Sequence, residues 1–420
     1  MPNESALDDA PPETRIEPRV GPIMTGLLEL YLDLHLHPEL SGAERRTAAL
    51  LADRLDRTGY TVTTGIGGHG VLGVLRNGPG PAVLLRTELD ALPVLERTAL
   101  PYASAQDGAM HACGHDAHIA CAAGAATLLA DSAEQWQGTV IVVGQPAEEE
   151  LSGAAAMLAD GLYERSGRPD VILAQHLTPL PAGLVAHAAA AVTAASLTME
   201  LRIHGRGGHG GLPHLAANPI PVAAAIIADL ETIPTRQPAI VTVGVINAGS
   251  RANIIPDQAT LGISLRAATQ EALDRAAAEV SRIAEARCAE AGFPRSPEVV
   301  RLAESPAGTN DPVAAGIVRT AHERAFGAGR IATLPPSMAT DDFPLFATPD
   351  GGEPIPSVYW MLGSTGHSRW AAAPGSTAIE KVQGVPANHS AEFAPDPIPT
   401  LRTGTAAMTA AVLGFLRSTT

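Results

Sequence analysis

Three short apolar runs, each breaking off into acids, amides or histidine, constrain the fold of this chain more than any other feature. Ala82-Val83-Leu84-Leu85-Arg86-Thr87 leads into Glu88-Leu89-Asp90. Thr139-Val140-Ile141-Val142-Val143 leads into Gln145-Pro146-Ala147-Glu148-Glu149, and Val171-Ile172-Leu173-Ala174 leads into Gln175-His176. Continuous Val- and Ile-rich runs bounded by breakers read as strands buried on both faces. Alanine-rich stretches such as residues 119–130 lie between them, with the length and composition of helices. This alternation predicts an α/β domain with a mostly parallel sheet flanked by helices. Ligand sites in such sheets collect beyond the carboxyl ends of the strands, which is where the acids and histidines stand.

The middle of the chain changes character. Residues 196–203 alternate as a half-exposed strand does, and 240–246 and 259–266 read as further strands. Helical stretches cover 221–233 and 270–291. The βαββα-like order predicts a smaller α+β domain at 195–306, its sheet covered by helices on one face. It is expected as an insertion into a larger domain made of 19–194 and 307–420. There the α/β pattern resumes with a helix at Pro312–Phe326 and a strand at 357–362.

Composition narrows the function classes. Hydrophobic residues at 45% and charged residues at 17% describe a soluble globular chain. A formal charge of −16 opposes nucleic acid or an anionic membrane as partner, since either needs a cationic face. No apolar run reaches the ~18 residues of a membrane span. Residues 1–18 are acidic and Pro-rich, without the basic and apolar regions of a secretory signal, and read as a disordered leader. Three cysteines, Cys113, Cys121 and Cys288, make no disulfide framework and suit a reducing compartment, the cytoplasm.

The densest chemistry lies in Met110-His111-Ala112-Cys113-Gly114-His115-Asp116-Ala117-His118. Thiol, imidazoles and carboxylate so close together suit a transition metal, against the plainer reading of a turn with a buried free cysteine. The segment also opens the alanine-rich helix, whose dipole is expected to favour the Cys113 thiolate. Cys121 and Cys288 read as inert core. Glu148-Glu149-Glu150 is a solvated acidic turn by default, because adjacent carboxylates repel. A dication reverses that cost: one glutamate ligates while its neighbour takes a proton from water. His176 and His389 each suit a satisfied core or loop histidine, and Asp90 a turn cap. His209 and His214 read as polar loop residues in a Gly-rich turn.

Together these motifs resemble those of the aminoacylase, hippurate hydrolase and indole-3-acetyl-amino-acid hydrolase group in metallopeptidase family twenty. The matching pieces begin with Leu34-His35-Leu36-His37-Pro38-Glu39-Leu40-Ser41, Glu88-Leu89-Asp90-Ala91-Leu92-Pro93 and the segment 110–118. Gln145-Pro146-Ala147-Glu148-Glu149, Gly205-Arg206-Gly207-Gly208-His209 and Pro213-His214 follow. Asn253-Ile254-Ile255-Pro256-Asp257, Asp341-Asp342-Phe343 and His389-Ser390 complete the series in family order. The resemblance implies a two-metal site with Cys113, His115, Glu149, His176 and His389 as ligands. It implies Glu148 as general base and then acid, and Asp90 as a supporting carboxylate. The inserted domain would serve as dimer contact and substrate lid. There His209 would reach a substrate carbonyl, and Asn253 and Arg266 would hold the substrate's carboxylate or carbonyl. Zinc or manganese suits the ligand set first, with cobalt or nickel also compatible.

The activity so implied is hydrolysis of N-acyl amino acids to a carboxylic acid and an amino acid, by a homodimer acting on a small molecule. A dipeptidase or aminobenzoyl-glutamate-type hydrolase would share the core, with Glu150 the candidate for binding a substrate ammonium. A catalytically silent metal-binding dimer is opposed by the presence of Glu148 beside every expected ligand. A zinc deaminase would need a Pro-Cys-x-x-Cys motif that the sequence lacks. Departures from the family pattern are Arg86-Thr87-Glu88 in place of Arg-Ala-Asp, Glu150 for a glycine, Asn218 for an aspartate, and Pro395 and Pro397 after Phe393. The long interval from Gly363 to His389, with His367 and Trp370, reads as a lid or pocket wall.

Overall fold

The computed structural model describes residues 16–188, 191–236, 238–293, 295–349 and 352–418. The chain divides into two compact units, one drawn from 1–192, 309–335 and 345–420, the other from 193–308 and 336–344. The first runs through helices α1 (Met24–Leu36) and α2 (Arg45–Arg57) and strands β1 (Thr61–Ile66), β2 (Gly70–Asn77) and β3 (Ala82–Glu88). It continues with α3 (His115–Ala130), β4 (Trp136–Gln145), β5 (Val171–Pro181) and β6 (Val185–Ala188). The second unit contributes β7 (Ala195–His204), α4 (Pro219–Leu230), β8 (Ala239–Ala248), β9 (Gln258–Ala267), α5 (Gln270–Glu290) and β10 (Glu298–Ser305). The first unit then resumes with α6 (Pro312–Phe326), β11 (Ile331–Leu334), β12 (Ser357–Thr365) and α7 (Pro397–Leu413).

The sheet of the first unit has the order β1-β2-β4-β3-β5-β12-β6-β11. Its centre, β4-β3-β5-β12, is parallel throughout. Strands β1 and β2 form an antiparallel hairpin added antiparallel to β4. The expected α/β sheet flanked by helices is therefore present. The three apolar runs form its parallel core, and the Val, Leu and Ile of β3 and β4 are completely buried. Helix α3 is apolar on nearly every side because α1, α7 and β3 all pack against it. A Cβ on Gly124 would lie 2.8 Å from Thr405 Cγ2 and 2.9 Å from Leu27 Cδ1, so only glycine permits that approach.

The second unit is an antiparallel sheet, β8-β9-β7-β10. Alternate residues Leu197, Met199, Leu201 and Ile203 face a core shared with Val280 and Ile283 of α5. Thr269 caps α5 by accepting from Ala272 N–H, and Asp311 followed by Pro312 starts α6 in the same way. Residues 1–15 of the expected leader lie outside the described residues. At its end the expectation fails, since Glu17–Ile23 is a 3-10 helix with Val20 buried and Glu17 paired to Arg330. No described helix is long and apolar enough to cross a membrane.

Candidate metal centre and active site

Strands β3 and β4 end side by side, tied by Leu89 N–H donating to Gln145 O at 2.8 Å. Asp90 therefore emerges next to the loop that carries Glu148 and Glu149. It is fully buried, and its Oδ2 accepts from Ser41 Oγ at 2.7 Å and from Glu149 N–H at 2.9 Å. His115, the first residue of α3, donates from Nδ1 to Asp90 O at 2.9 Å, which turns Nε2 toward Glu148 and Glu149. His176 likewise donates from Nδ1 to Leu177 O at 2.7 Å and presents Nε2 3.3 Å from Cys113 Sγ. Strand β5 continues beyond His176 to Pro181, so this residue lies within the strand rather than after its expected end. Nε2 of His115 is 3.8 Å from Glu148 and 3.9 Å from Glu149, and His389 Nε2 is 3.5 Å from Glu149. Cys113, His115, Glu148, Glu149, His176 and His389 thus come together in one unit, with Asp90 behind them.

The backbone around them is strained. Ala147 (φ 47), Leu151 (φ 53) and His389 (φ 70) occupy the left-handed region that non-glycine residues avoid. His389 is held there by N–H donation to Ala112 O at 2.8 Å, and Asn388 Nδ2 spans to Cys113 O and Leu177 O at 3.2 Å each.

Electrostatics favour a bound cation. Burial, together with Glu149 and Glu148, pushes the Cys113 thiol well up. The expected help from the helix dipole is overruled, because α3 starts only at His115 and the carboxylates lie nearer. Burial alone would lower the His115 imidazole, but Asp90, Glu88 and Glu149 hold it at about 10. Burial raises the Glu149 carboxyl. Such a crowd of anions is unfavourable alone and favourable around a dication. His115 Nε2, Glu149 Oε1 and Asp90 Oδ1 are buried with no hydrogen-bond partner among the described residues, and donors of Cys113, His115 and Glu149 lie within 4.8 Å of one another. Thiol, imidazole and carboxylate in this arrangement fit a divalent transition metal.

Donor atoms of Glu88, His118, His115 and His176 also lie within 4.8 Å of one another, but the first two are already engaged. His118 donates from Nδ1 to Glu88 Oε2 at 2.9 Å and accepts Leu177 N–H at Nε2 at 2.8 Å. The other oxygen of Glu88 pairs with Arg86, whose Nε donates to Gln145 Oε1 at 2.8 Å. This completely buried network forms a scaffold under the site, which sequence reasoning missed. The signal was an arginine inside a buried strand, which requires a buried anion. Asp116 has a similar role, accepting from His35 Nδ1 at 2.6 Å.

The second unit holds the expected substrate-binding residues. His209 pairs with Ile254 in a short antiparallel ladder, and Gly210 N–H donates to Asn253 O at 2.9 Å, so His209 and Asn253 adjoin. Arg266, on β9, donates to Met338 O at 3.1 Å. In the first unit, the long interval before His389 contains helices His367–Ala372 and Ala378–Gln383, the latter opened by a capping box of Thr377 and Glu380.

Known proteins place this geometry in context. The model of peptidase family M20/M25/M40 matches residues 84–380. An N-acetyl-L-cysteine deacetylase of Bacillus subtilis is 33% identical over 351 residues, covering 82% of this chain and 82% of that protein. A hippurate hydrolase of Campylobacter jejuni is 40% identical over 245 residues, 57% of this chain and 63% of that protein. A solved dinuclear metal-binding peptidase of the M20 family from Bacillus subtilis superposes with a TM-score of 0.70 at 28% identity, covering 93% of this chain and 98% of that one. The chain therefore belongs to peptidase family M20/M25/M40, as a metal-dependent amidohydrolase.

Proposed function

We propose that the protein hydrolyses N-acyl amino acids at their amide bond with two divalent ions per subunit, zinc or manganese first. The observation that carries this reading is Glu148, 5% exposed, standing 3.8 Å from Nε2 of His115. Cys113, His115, Glu149, His176 and His389 would hold the ions, with Asp90 fixing His115 and the Glu149 backbone. When bound, such ions supply a Lewis acid that lowers the pKa of a water toward neutrality and polarises the amide carbonyl. Glu148 takes the proton from the attacking water and returns it to the leaving amine. His209 accepts Gly211 N–H at Nδ1, and the family resemblance would have its Nε2 donate to the developing oxyanion. Asn253 and Arg266 would bind the substrate's carboxylate or carbonyl.

The enzyme is expected to be a cytoplasmic homodimer. Strand β8 supports the dimer: it is an edge strand with Ile240, Val245 and Ile246 44 to 54% exposed. A solution mass of one chain would refute the dimer. The activity is tested by metal analysis and a panel of acetyl, benzoyl, indoleacetyl and long-chain acyl amino acids. Turnover of at least one class, abolished by chelation and restored by zinc or manganese, is expected. Cleavage of dipeptides alone would replace this reading with a dipeptidase.

A further inference from the structure

The loop that carries Glu148 is held from outside. Ala147 and Leu151 are both left-handed, Leu151 N–H donates to Glu148 O at 2.7 Å, and the N–H groups of Ser152 and Gly153 both reach Ala147 O at 3.2 Å. A Cβ on Gly153 would fall 1.6 Å from Pro146 O, so the loop folds tightly back on itself. Backbone of this kind persists only where its surroundings over-determine it.

The turn between α1 and α2 supplies that support. Glu44 is completely buried, and its Oε1 accepts from Ala147 N–H at 2.9 Å and from Gly42 N–H at 2.8 Å. Its Oε2 is buried too, with no hydrogen-bond partner among the described residues. Ser41 holds Asp90 Oδ2, which also accepts Glu149 N–H. One turn therefore grips the loop on both sides of Glu148, at 147 through Glu44 and at 149 through Ser41 and Asp90. The turn is itself anchored. Glu39 accepts from the backbone N–H groups of Arg46 and Thr47, and its carbonyl accepts Ala91 N–H at 2.8 Å. A buried carboxyl with one oxygen unused opposes stability, so the contact it makes at Ala147 is its evident use.

We propose that Glu44 is a positioning residue for hydrolysis, fixing the strained 146–151 backbone so that Glu148 and Glu149 face the metal centre. This rests on the reaction proposed above. The test compares wild type, Glu44→Ala and Glu44→Gln by amide hydrogen exchange of the 146–153 peptide and by steady-state kinetics of the metal-loaded enzyme. Glu44→Ala should speed exchange of that peptide about tenfold while α3 keeps its protection, and lower kcat about tenfold or more with KM nearly unchanged. Glu44→Gln, whose amide oxygen can accept the same two N–H groups, should restore both. Unchanged exchange in Glu44→Ala, an equal loss in Glu44→Gln, or faster exchange spread through the whole first unit would overturn the proposal. If the wild type hydrolyses no acyl amino acid, the functional reading falls, while the exchange measurement still decides whether Glu44 holds the loop.

Discussion

Arg86 and Glu88 stand two residues apart on β3 with no solvent exposure, and each offsets part of the cost of burying the other. Glu88→Ala should destabilise the protein by about 3–5 kcal/mol, because it removes an anion from beside the buried guanidinium and takes the acceptor from His118 Nδ1. Denaturant unfolding of this variant checks it, and a loss below about 1 kcal/mol would show that the other contacts of Arg86 suffice for its charge. At this scale the chemical types were legible in the sequence. Cys113, His115, Glu148, Glu149, His176 and His389 are the side chains that meet. What stayed hidden was set by long-range hydrogen bonding: the Nδ1 contact that orients His115 and the engaged state of His118 depend on partners 25 and 30 positions away. The left-handed φ of Ala147 and His389 also has no local signature, since neither residue type asks for it.

At the level of elements, the runs that ended in polar residues gave correct strands because burial on both faces leaves an unmistakable apolar record. The hairpin β1–β2 escaped notice, since β1 is short, Thr-rich and half exposed, and the buried Val71-Leu72-Gly73-Val74 of β2 is broken by glycine. Likewise, return of 336–344 to the second unit is a tertiary event that periodicity does not encode. Helix α3 illustrates what alanine-rich composition does achieve. Its small residues let α1 and α7 approach, and Gly124 marks the closest point. Gly124→Val should cost roughly 1–3 kcal/mol by overpacking against Thr405 and Leu27. A urea midpoint unchanged from wild type would show that this packing has slack.

Across the whole first unit, stability in acid should be governed in part by two histidines away from the metal centre. His187 Nε2 meets His322 Nδ1 at 3.1 Å, and His322 donates from Nε2 to Ala407 O at 3.0 Å. Burial, with Arg319, lowers His187 to about 4, and burial, with His187, lowers His322 to about 3, from an ordinary value of 6.5. The folded protein keeps both neutral while the unfolded chain takes up protons below 6.5. The stability they allow is therefore complete above 6.5 and lost as pH falls toward about 4 for His187 and about 3 for His322, at up to about 1.4 kcal/mol per pH unit for each. His322→Gln should flatten that limb in urea unfolding at pH 7 and 5, and an identical pH dependence would refute this. The central claim is that strand exits distant in sequence hold cations beside a glutamate that moves protons. Its most direct test is the turnover of Glu148→Ala at measured full metal content. Wild-type metal binding with kcat reduced by at least about a hundredfold is predicted, and near-normal turnover by the metal-loaded variant would contradict it.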